Sequence, residues 1–423
     1  MAVRTLEIAI AGYGSAGQAA AILLARDGHR VTVFERAATP MPVGAGLLLQ
    51  PTGLAVLDEM GLLSEALMFG APVRRLLGDT PDGRQVLDMR YTDLDRRLFG
   101  LGMQRAALFD LLHAARPDEA IVKFGAEIDR IDSDDGRLIT VEGVRHGPFD
   151  LILIADGAAS RLRQVLAPHR LNQPYPWGAL WCLVALDDWP QHDVLRQRYR
   201  SSSRMIGLLP VGIRRDDPVP RLSFFWSLPA GDFQSWRARG LPAWRRELDE
   251  LWPEAATVFA GLPGEPDGFA QASYRDTVLG DWHRGRVCAI GDAAHAMSPQ
   301  LGQGVNMALL DALAMREALR AETTVAAALA HFVRIRRRHI GVYHFWSRWL
   351  TPLFQSDRHW LARLRDALFP RLGRWPGSRS LSLALLTGCQ QGLIARRPLS
   401  TQVLLALSEH QRRNGHSRPQ GNA

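Results

Sequence analysis

The chain opens with fully apolar runs separated by short glycine-marked breaks. "TLEIAIA" at 5–11 lacks the polar alternation of a half-exposed strand, so it predicts a strand covered on both faces. The alanine- and leucine-rich stretch 16–27 has helical spacing, and "HRVTVFE" at 29–35 returns to strand composition, which together predict the first half of a parallel βαβ unit. Two later runs share the covered character: "FDLILIAD" at 149–156 and "RVCAIGD" at 286–292, each with an acidic residue beside a glycine. Between 172 and 270 the texture changes. "WGALWCLVAL", "RQRYRSSSRMIGLLPV" and "RLSFFWSL", broken by the turn "RRDDPVP", predict antiparallel strands rich in aromatics, and "GLPGEPDG" at 261–268 is a loop by composition. After 303 the pattern is helical, and from Gln411 the composition predicts a loose tail. No internal repeat is visible.

At 423 residues there is room for two or three domains, since one core serves roughly 100–200 residues. Apolar residues make up 47% and charged residues 22%, which fits an ordinary soluble protein and argues against wholesale disorder. Cys182, Cys288 and Cys389 are odd in number, far apart and without Cys-x-x-Cys spacing. They support neither a disulfide framework nor a metal site, and a reducing cytoplasm is the expected setting. The first residues turn into a glycine loop before an export core forms, and the apolar runs are too short to span a bilayer. Much of the net charge of +8 sits in the last third, in "RIRRRH" and in Arg358, Arg363, Arg365, Arg371, Arg374, Arg396 and Arg397. Solvated helix faces are the first reading and attraction to an anionic membrane surface the second. No nucleic-acid recognition motif accompanies the charge.

Gly12, Gly14 and Gly17 match G-x-G-x-x-G between a predicted strand and helix, with Ser15, Ala16 and Gly17 at the helix start. Glu35, followed by Arg36, ends the next strand about 20 residues on, where a ribose contact is expected. In such a turn the first glycine permits the bend, the second lets backbone approach a pyrophosphate, and the third lets helix pack on strand. A carboxylate at Glu35 accepts from a free 2′-hydroxyl and repels a 2′-phosphate, so FAD or NAD fits better than NADP. "GDAAHAMSPQLGQGVNMALLDALAM" at 291–315 sets Asp292 at a strand end, then Pro299, then Gly302, Gly304, Val305 and Asn306 where a long helix begins. Asp292 could accept from ribityl hydroxyls, and backbone donors in the "LGQGVN" turn suit an electron-poor ring that takes up negative charge. "DGAASRLR" adds Asp156 and Gly157.

With these three motifs in this order, the chain resembles the group A flavoprotein monooxygenases, the p-hydroxybenzoate hydroxylase-like superfamily, from about residue 5 to 345. The resemblance implies FAD as cofactor, with its pyrophosphate on Gly12, Gly14 and Gly17 and its adenosine ribose on Glu35. Arg105, in "MQRAALFDLL", corresponds to the family arginine that reaches the phosphate and ribityl region. Asp156 and Gly157 correspond to the motif tied to FAD and the passing nicotinamide cofactor. Pro299 and the amides from Leu301 to Gly304 would lie by the reactive ring edge. The implied cycle is reduction by NADH or NADPH, reaction with dioxygen to a C4a-hydroperoxide, and oxygen transfer that hydroxylates or epoxidises an aromatic or other electron-rich small molecule. His295 lies within the flavin motif as a minor catalytic candidate, and no other side chain is singled out for catalysis.

The expected fold class is α/β: a Rossmann-like FAD-binding domain with a parallel sheet (1–75, 100–171, 270–345), an antiparallel-sheet substrate domain (76–99, 172–269), and a C-terminal helical region with a loose tail (346–423). Trp181, Arg204, Met205, Phe224 and Trp226 are candidates to line the substrate pocket, with core packing the competing reading. Helices that close the chamber, or that touch a membrane, are the two readings of the arginine- and tryptophan-rich end. Monomer and homodimer stay open. So do an FAD-dependent reductase or dehydrogenase of the same fold, and a flavin-bearing binding protein without oxygenation chemistry.

Overall fold

The computed structural model describes residues 4–40, 45–166, 168–186, 189–392 and 395–415, and the statements below concern these. The chain forms two compact units. One comprises Met1–Val43, Leu108–Gly178 and Ser273–Trp349; the other comprises Gly44–Ala107, Ala179–Ala272 and Leu350–Ala423.

The first unit is built on a largely parallel sheet in the order His283–Arg284, Val287–Ala289, Leu151–Ile154, Glu7–Ala11, Arg30–Glu35, Ala120–Phe124. Glu7–Ala11 sits between two parallel neighbours, with Ile8 opposite Leu151 on one side and Val31 on the other. Its apolar residues are buried on both faces, which explains why the run shows no alternation. The helix Ser15–Arg26 packs on the helix Gly304–Ala321 and on the sheet, and its Ala19, Ala20 and Ala21 are all at 0% exposure; small side chains suit a helix covered on several sides. Asp156 and Asp292 both stand just beyond a strand end, as the strands Leu151–Ile154 and Val287–Ala289 are shorter than the apolar runs that contain them.

The second unit carries most of a seven-stranded sheet in the order Ala270–Leu279, His169–Ala185, Arg221–Pro229, Arg204–Gly212, Val194–Arg200, Arg75–Asp79, Gln85–Arg90. Three helices that the strand reading passed over, Phe233–Arg239, Leu241–Leu251 and Ala256–Ala260, supply Trp236, Trp244, Leu248 and Phe259 to a core against the sheet residues Leu180, Leu222, Phe224 and Trp226.

The units differ from the expected domains most widely in two places. Residues 44–75 and 100–107 group with the second unit, because Gly46–Leu49 and Ala71–Val73 both pair with Gly100–Gln104 in a small sheet that packs on the strand Arg204–Gly212. The region after Leu350 groups with the second unit as well: the buried Arg365 reaches the carbonyls of Ser201 and Leu353 at 3.2 and 3.0 Å. The expected loose tail begins too early, since the helix Thr401–Gly415 continues through Gln411; residues 416–423 lie outside the described residues.

Candidate active site

The three glycines of the first turn do different work. Gly12 has φ +106°, and a Cβ there would stand 2.4 Å from the Ala155 carbonyl oxygen; at Gly17 it would stand 2.0 Å from the Gly12 oxygen. A Cβ on Gly14 would meet nothing within 4 Å. Gly12 and Gly17 are thus required by the protein's own packing, and Gly14 borders open space. The helix begins at Ser15, and its first backbone bond runs from Gln18 N–H to the Gly14 carbonyl. The N–H groups of Ser15, Ala16 and Gly17 therefore have no acceptor within the helix and suit an anion. Both oxygens of Glu35 accept backbone N–H bonds, from Tyr13 at 2.9 Å and Ala37 at 2.8 Å. Glu35 braces the turn, and each oxygen keeps a lone pair for a hydroxyl. Arg36 is exposed beside it.

Asp156 and Gly157 follow the neighbouring strand. The Asp156 side chain is exposed, yet desolvation by the surrounding protein raises its carboxyl, partly opposed by a hydrogen bond from Ser160 and the charge of Arg163. An exposed carboxylate with protein closing around it marks a crevice. Arg163 was not singled out from sequence, where an arginine reads as a solvated charge. It is 1% exposed and donates to the carbonyls of Ala158 (2.7 Å) and Ala293 (3.1 Å) and to Asn172 Oδ1 (3.2 Å). It thereby ties the loop after Asp156 to the segment after Asp292.

Asp292 opens the short helix Asp292–His295 with its side chain exposed. Pro299 begins a 3-10 turn to Leu301, Gly302 takes the left-handed conformation at φ +60°, and the helix Gly304–Ala321 starts immediately after. Asn306 Nδ2 holds the turn by donating to the Gly302 carbonyl at 3.2 Å. Gly304 and Asp292 lie side by side: a Cβ on Gly304 would come within 3.8 Å of Asp292 Oδ1. Open space at Gly14, free helix-start donors and an exposed Asp292 beside a second helix start fit a long dinucleotide with a hydroxylated chain.

His295 does not share the exposure of Asp292. It is buried, with Nε2 2.6 Å from Asp311 Oδ2 and its ring against Trp282. The other Asp311 oxygen accepts from Arg336 Nε at 2.6 Å, and Oδ2 also accepts from Gly291 N–H at 2.7 Å. Burial alone would raise the Asp311 carboxyl, but the charges of His295 and Arg336 and these hydrogen bonds outweigh it and hold the group down at about 2. His295 and the Gly291 N–H, next to Asp292 in the chain, thus share one carboxylate oxygen, an arrangement that matches backbone support, the main reading of this histidine, more closely than the minor catalytic one.

His344, on the helix Val325–Phe354, is lowered to about 3 by burial and by the charges of His295 and Arg348, while Asp276 at 3.7 Å is beyond hydrogen-bond reach. The folded protein keeps this imidazole neutral at pH values where the unfolded chain takes up a proton. Stability is therefore expected to fall as pH drops from about 6.5 toward 3, by about 1.4 kcal/mol per pH unit for this one group. Urea unfolding at a series of pH values checks this, and His344→Leu is expected to flatten the slope.

A family model for an FAD binding domain matches residues 5–340, a span that takes in all three strand-end motifs. The chain belongs to the group A FAD-dependent monooxygenases. It is 30% identical to kynurenine 3-monooxygenase of Salinispora arenicola (strain CNS-205) over 373 residues, 80% of this chain and 78% of that one. It is 28% identical to 2-heptyl-3-hydroxy-4(1H)-quinolone synthase of Pseudomonas aeruginosa over 404 residues, 90% and 98% of the two chains. The fold matches that of Klebsiella pneumoniae HpxO, crystallised with FAD and uric acid, with a TM-score of 0.76 at 22% identity, covering 90% of this chain and 97% of that one. As a monooxygenase of this family it uses FAD, with NADH or NADPH as the reductant. Among the described residues no group of side chains could hold a metal ion, and no helix is long and apolar enough to cross a membrane.

The monooxygenase's substrate candidates divide between the two faces of the second unit's sheet. Phe224 and Trp226 lie in the helix-covered core, ringed by Trp244 and Phe259, so both are corrected from pocket lining to packing. Arg204 is on that side too, over the Trp226 ring and 3.6 Å from Glu247, at a cleft of about 90 Å³, too small for an aromatic substrate. Trp181 is on the opposite face, its ring 5.0 Å from that of Phe225. Met205, out of phase with the core residues Ile206 and Leu208, faces the same way, with its sulfur 3.9 Å from Gln197 Nε2. The buried hydroxyls of Ser223 and Ser227, which share the Phe225 face by alternation, have no protein hydrogen-bond partner among the described residues. Arg105 opens the helix Arg105–Ala114 in the second unit with its side chain exposed and its N–H bonded to the Ala45 carbonyl. The three cysteines are buried, and burial raises their thiols, Cys182 to about 12, so none is a reactive thiolate.

Proposed function

We propose that this monooxygenase hydroxylates or epoxidises an aromatic or other electron-rich small molecule. The observation that carries the cofactor assignment is the grouping of three strand ends in the first unit, where donors, an open glycine and exposed carboxylates alternate. Gly12, Gly14, Ser15, Ala16 and Gly17 would hold the pyrophosphate, with Glu35 and Arg36 toward the adenosine ribose and Asp156 and Gly157 serving FAD and the passing nicotinamide cofactor; Arg105 keeps only the phosphate and ribityl role that the family resemblance implies. Asp292 would accept from the ribityl hydroxyls, and Pro299, Gly302, Gly304, Val305 and Asn306 would border the ring. When bound, FAD supplies reduction by NAD(P)H and activation of dioxygen. The chain's own part is to present N–H donors where negative charge develops, to orient the substrate and to exclude water.

The sheet face with Trp181, Met205 and Phe225 is the one proposed for an apolar substrate, with Ser227 as a polar contact; Ser223 is covered there by Gly46. The names of a kynurenine monooxygenase and a quinolone synthase among the relatives support an aromatic substrate. Three buried free thiols fit a cytoplasmic setting.

Asp292→Ala is expected to strip the flavin from otherwise folded protein; a variant of full yellow colour would remove Asp292 from the site. A screen of phenolic and heteroaromatic compounds for stimulated NAD(P)H oxidation, with hydrogen peroxide measured alongside, tests the reaction. A true substrate gives stimulation with little peroxide and a product labelled from dioxygen. Product without oxygen uptake would assign a reductase instead, and a flavoprotein that no compound stimulates would overturn the oxygenase reading.

A further inference from the structure

We infer that the exposed face of the helix His359–Arg374 docks on an anionic lipid surface. Trp360, Leu364, Leu368 and Leu372 recur every fourth residue, and Trp375 follows at the helix end; they are 61%, 42%, 41%, 43% and 69% exposed. A spacing of four keeps them on one side of the helix, as a stripe along its length of about 24 Å. The opposite side is held firmly. Ala362 and Arg365 are buried there, and the helix packs on the strand Gln85–Arg90 and the helix Pro376–Leu386. The Arg365 guanidinium lies over the rings of Tyr199 and Phe354 and bonds Asp366 at 2.8 Å. The stripe is therefore the outer face of an anchored helix, presented in one orientation.

The charges select the occupant. Arg358, Arg363, Arg371 and Arg374 are exposed around the stripe, and the one acidic residue between 358 and 375, Asp366, is half-buried and engaged by Arg365. A second copy seated on this face by a two-fold axis would set arginines against arginines, with only Asp357, at the edge before Arg358, exposed to answer them. A surface of anionic headgroups answers all four, takes the leucines into its acyl boundary, and accommodates tryptophans at the level where their rings prefer to sit. The helix is too short and too charged to cross such a layer, so it lies in the plane. This docking is independent of which molecule is oxygenated.

The test is flotation of the full-length, flavin-loaded protein with vesicles of phosphatidylglycerol and phosphatidylethanolamine, or of phosphatidylcholine alone, at low and high salt. Binding is expected to the anionic vesicles at low salt, weakly to the neutral ones, with a blue shift of tryptophan emission that Trp360→Ser and Trp375→Ser together abolish. Replacing Arg363, Arg371 and Arg374 by glutamine is expected to weaken binding by about 100-fold at low salt. Leu364→Glu with Leu368→Glu is expected to abolish it while flavin content and sedimentation stay as in the unsubstituted protein. No flotation, equal flotation with both lipids, or unchanged flotation of the double glutamate variant would overturn the proposal. So would an oligomer, formed without lipid, that the same substitutions dissolve.

Discussion

Gly17→Ala is expected to give protein that neither holds flavin nor retains normal stability, whereas Gly14→Ala is expected to fold normally and bind FAD about tenfold or more weakly. A methyl on Gly17 would occupy space 2.0 Å from the Gly12 carbonyl oxygen. That neighbour is backbone in the turn just past the strand Glu7–Ala11, pinned by the Gly12 N–H bond to the Phe34 carbonyl, and cannot turn aside as a side chain can. The cost therefore lies at or beyond the upper end of the roughly 1–3 kcal/mol usual for overpacking. At Gly14 the backbone is extended, with φ −73° and ψ −175°, and a methyl would touch nothing in the protein. What it would occupy is the approach of the pyrophosphate. Bound flavin per chain, the FAD dissociation constant and the urea midpoint of each variant separate the two effects. A Gly14→Ala protein with unaltered FAD affinity would show that the phosphates lie elsewhere.

Asp311→Ala is expected to destabilise the protein by about 3–5 kcal/mol, since it leaves Arg336 buried without its carboxylate and frees His295 and the Gly291 N–H. Because Gly291 directly precedes Asp292, flavin retention is expected to fall with it. Asp311→Leu combined with Arg336→Met removes both charges and should cost less than the sum of the single changes. The pH dependence has a definite sign. Asp311 is depressed in the fold to about 2, so its contribution is complete above the unfolded carboxyl range and is lost as pH falls from about 4 to 2, amounting to about 2 kcal/mol. Denaturant titration across that interval checks this. An Asp311→Ala loss below about 1 kcal/mol would mean that the network contributes little.

The cofactor half of the molecule was legible because its signals are local. A turn that must bend, admit a phosphate and let a helix lie on a strand leaves few choices but glycine at 12, 14 and 17, and these positions read directly. The sheet face was harder. Phe224 and Phe225 are equivalent as strand residues, and only the helices packed on Phe224 decide which is interior. The cue was present in "LPAWRRELDEL", where Leu241, Trp244, Leu248 and Leu251 recur at helical spacing and are the buried positions. Arg163 and Arg336 stayed hidden for another reason. An arginine bound to carbonyls or to a buried aspartate has no mark in the sequence that separates it from a solvated one, and its partners lie up to 130 residues away.

The division of the chain limits how this enzyme can be taken apart. The polypeptide passes between its two units at 43/44, 107/108, 178/179, 272/273 and 349/350, and the last four of these points fall inside a helix or strand: Arg105–Ala114, His169–Ala185, Ala270–Leu279 and Val325–Phe354. Excising either half would sever continuous hydrogen-bonded ladders or helical turns. Neither can be transplanted as a cassette, and chimaeras with relatives will recombine cleanly only where whole elements are exchanged from both sides of a crossing.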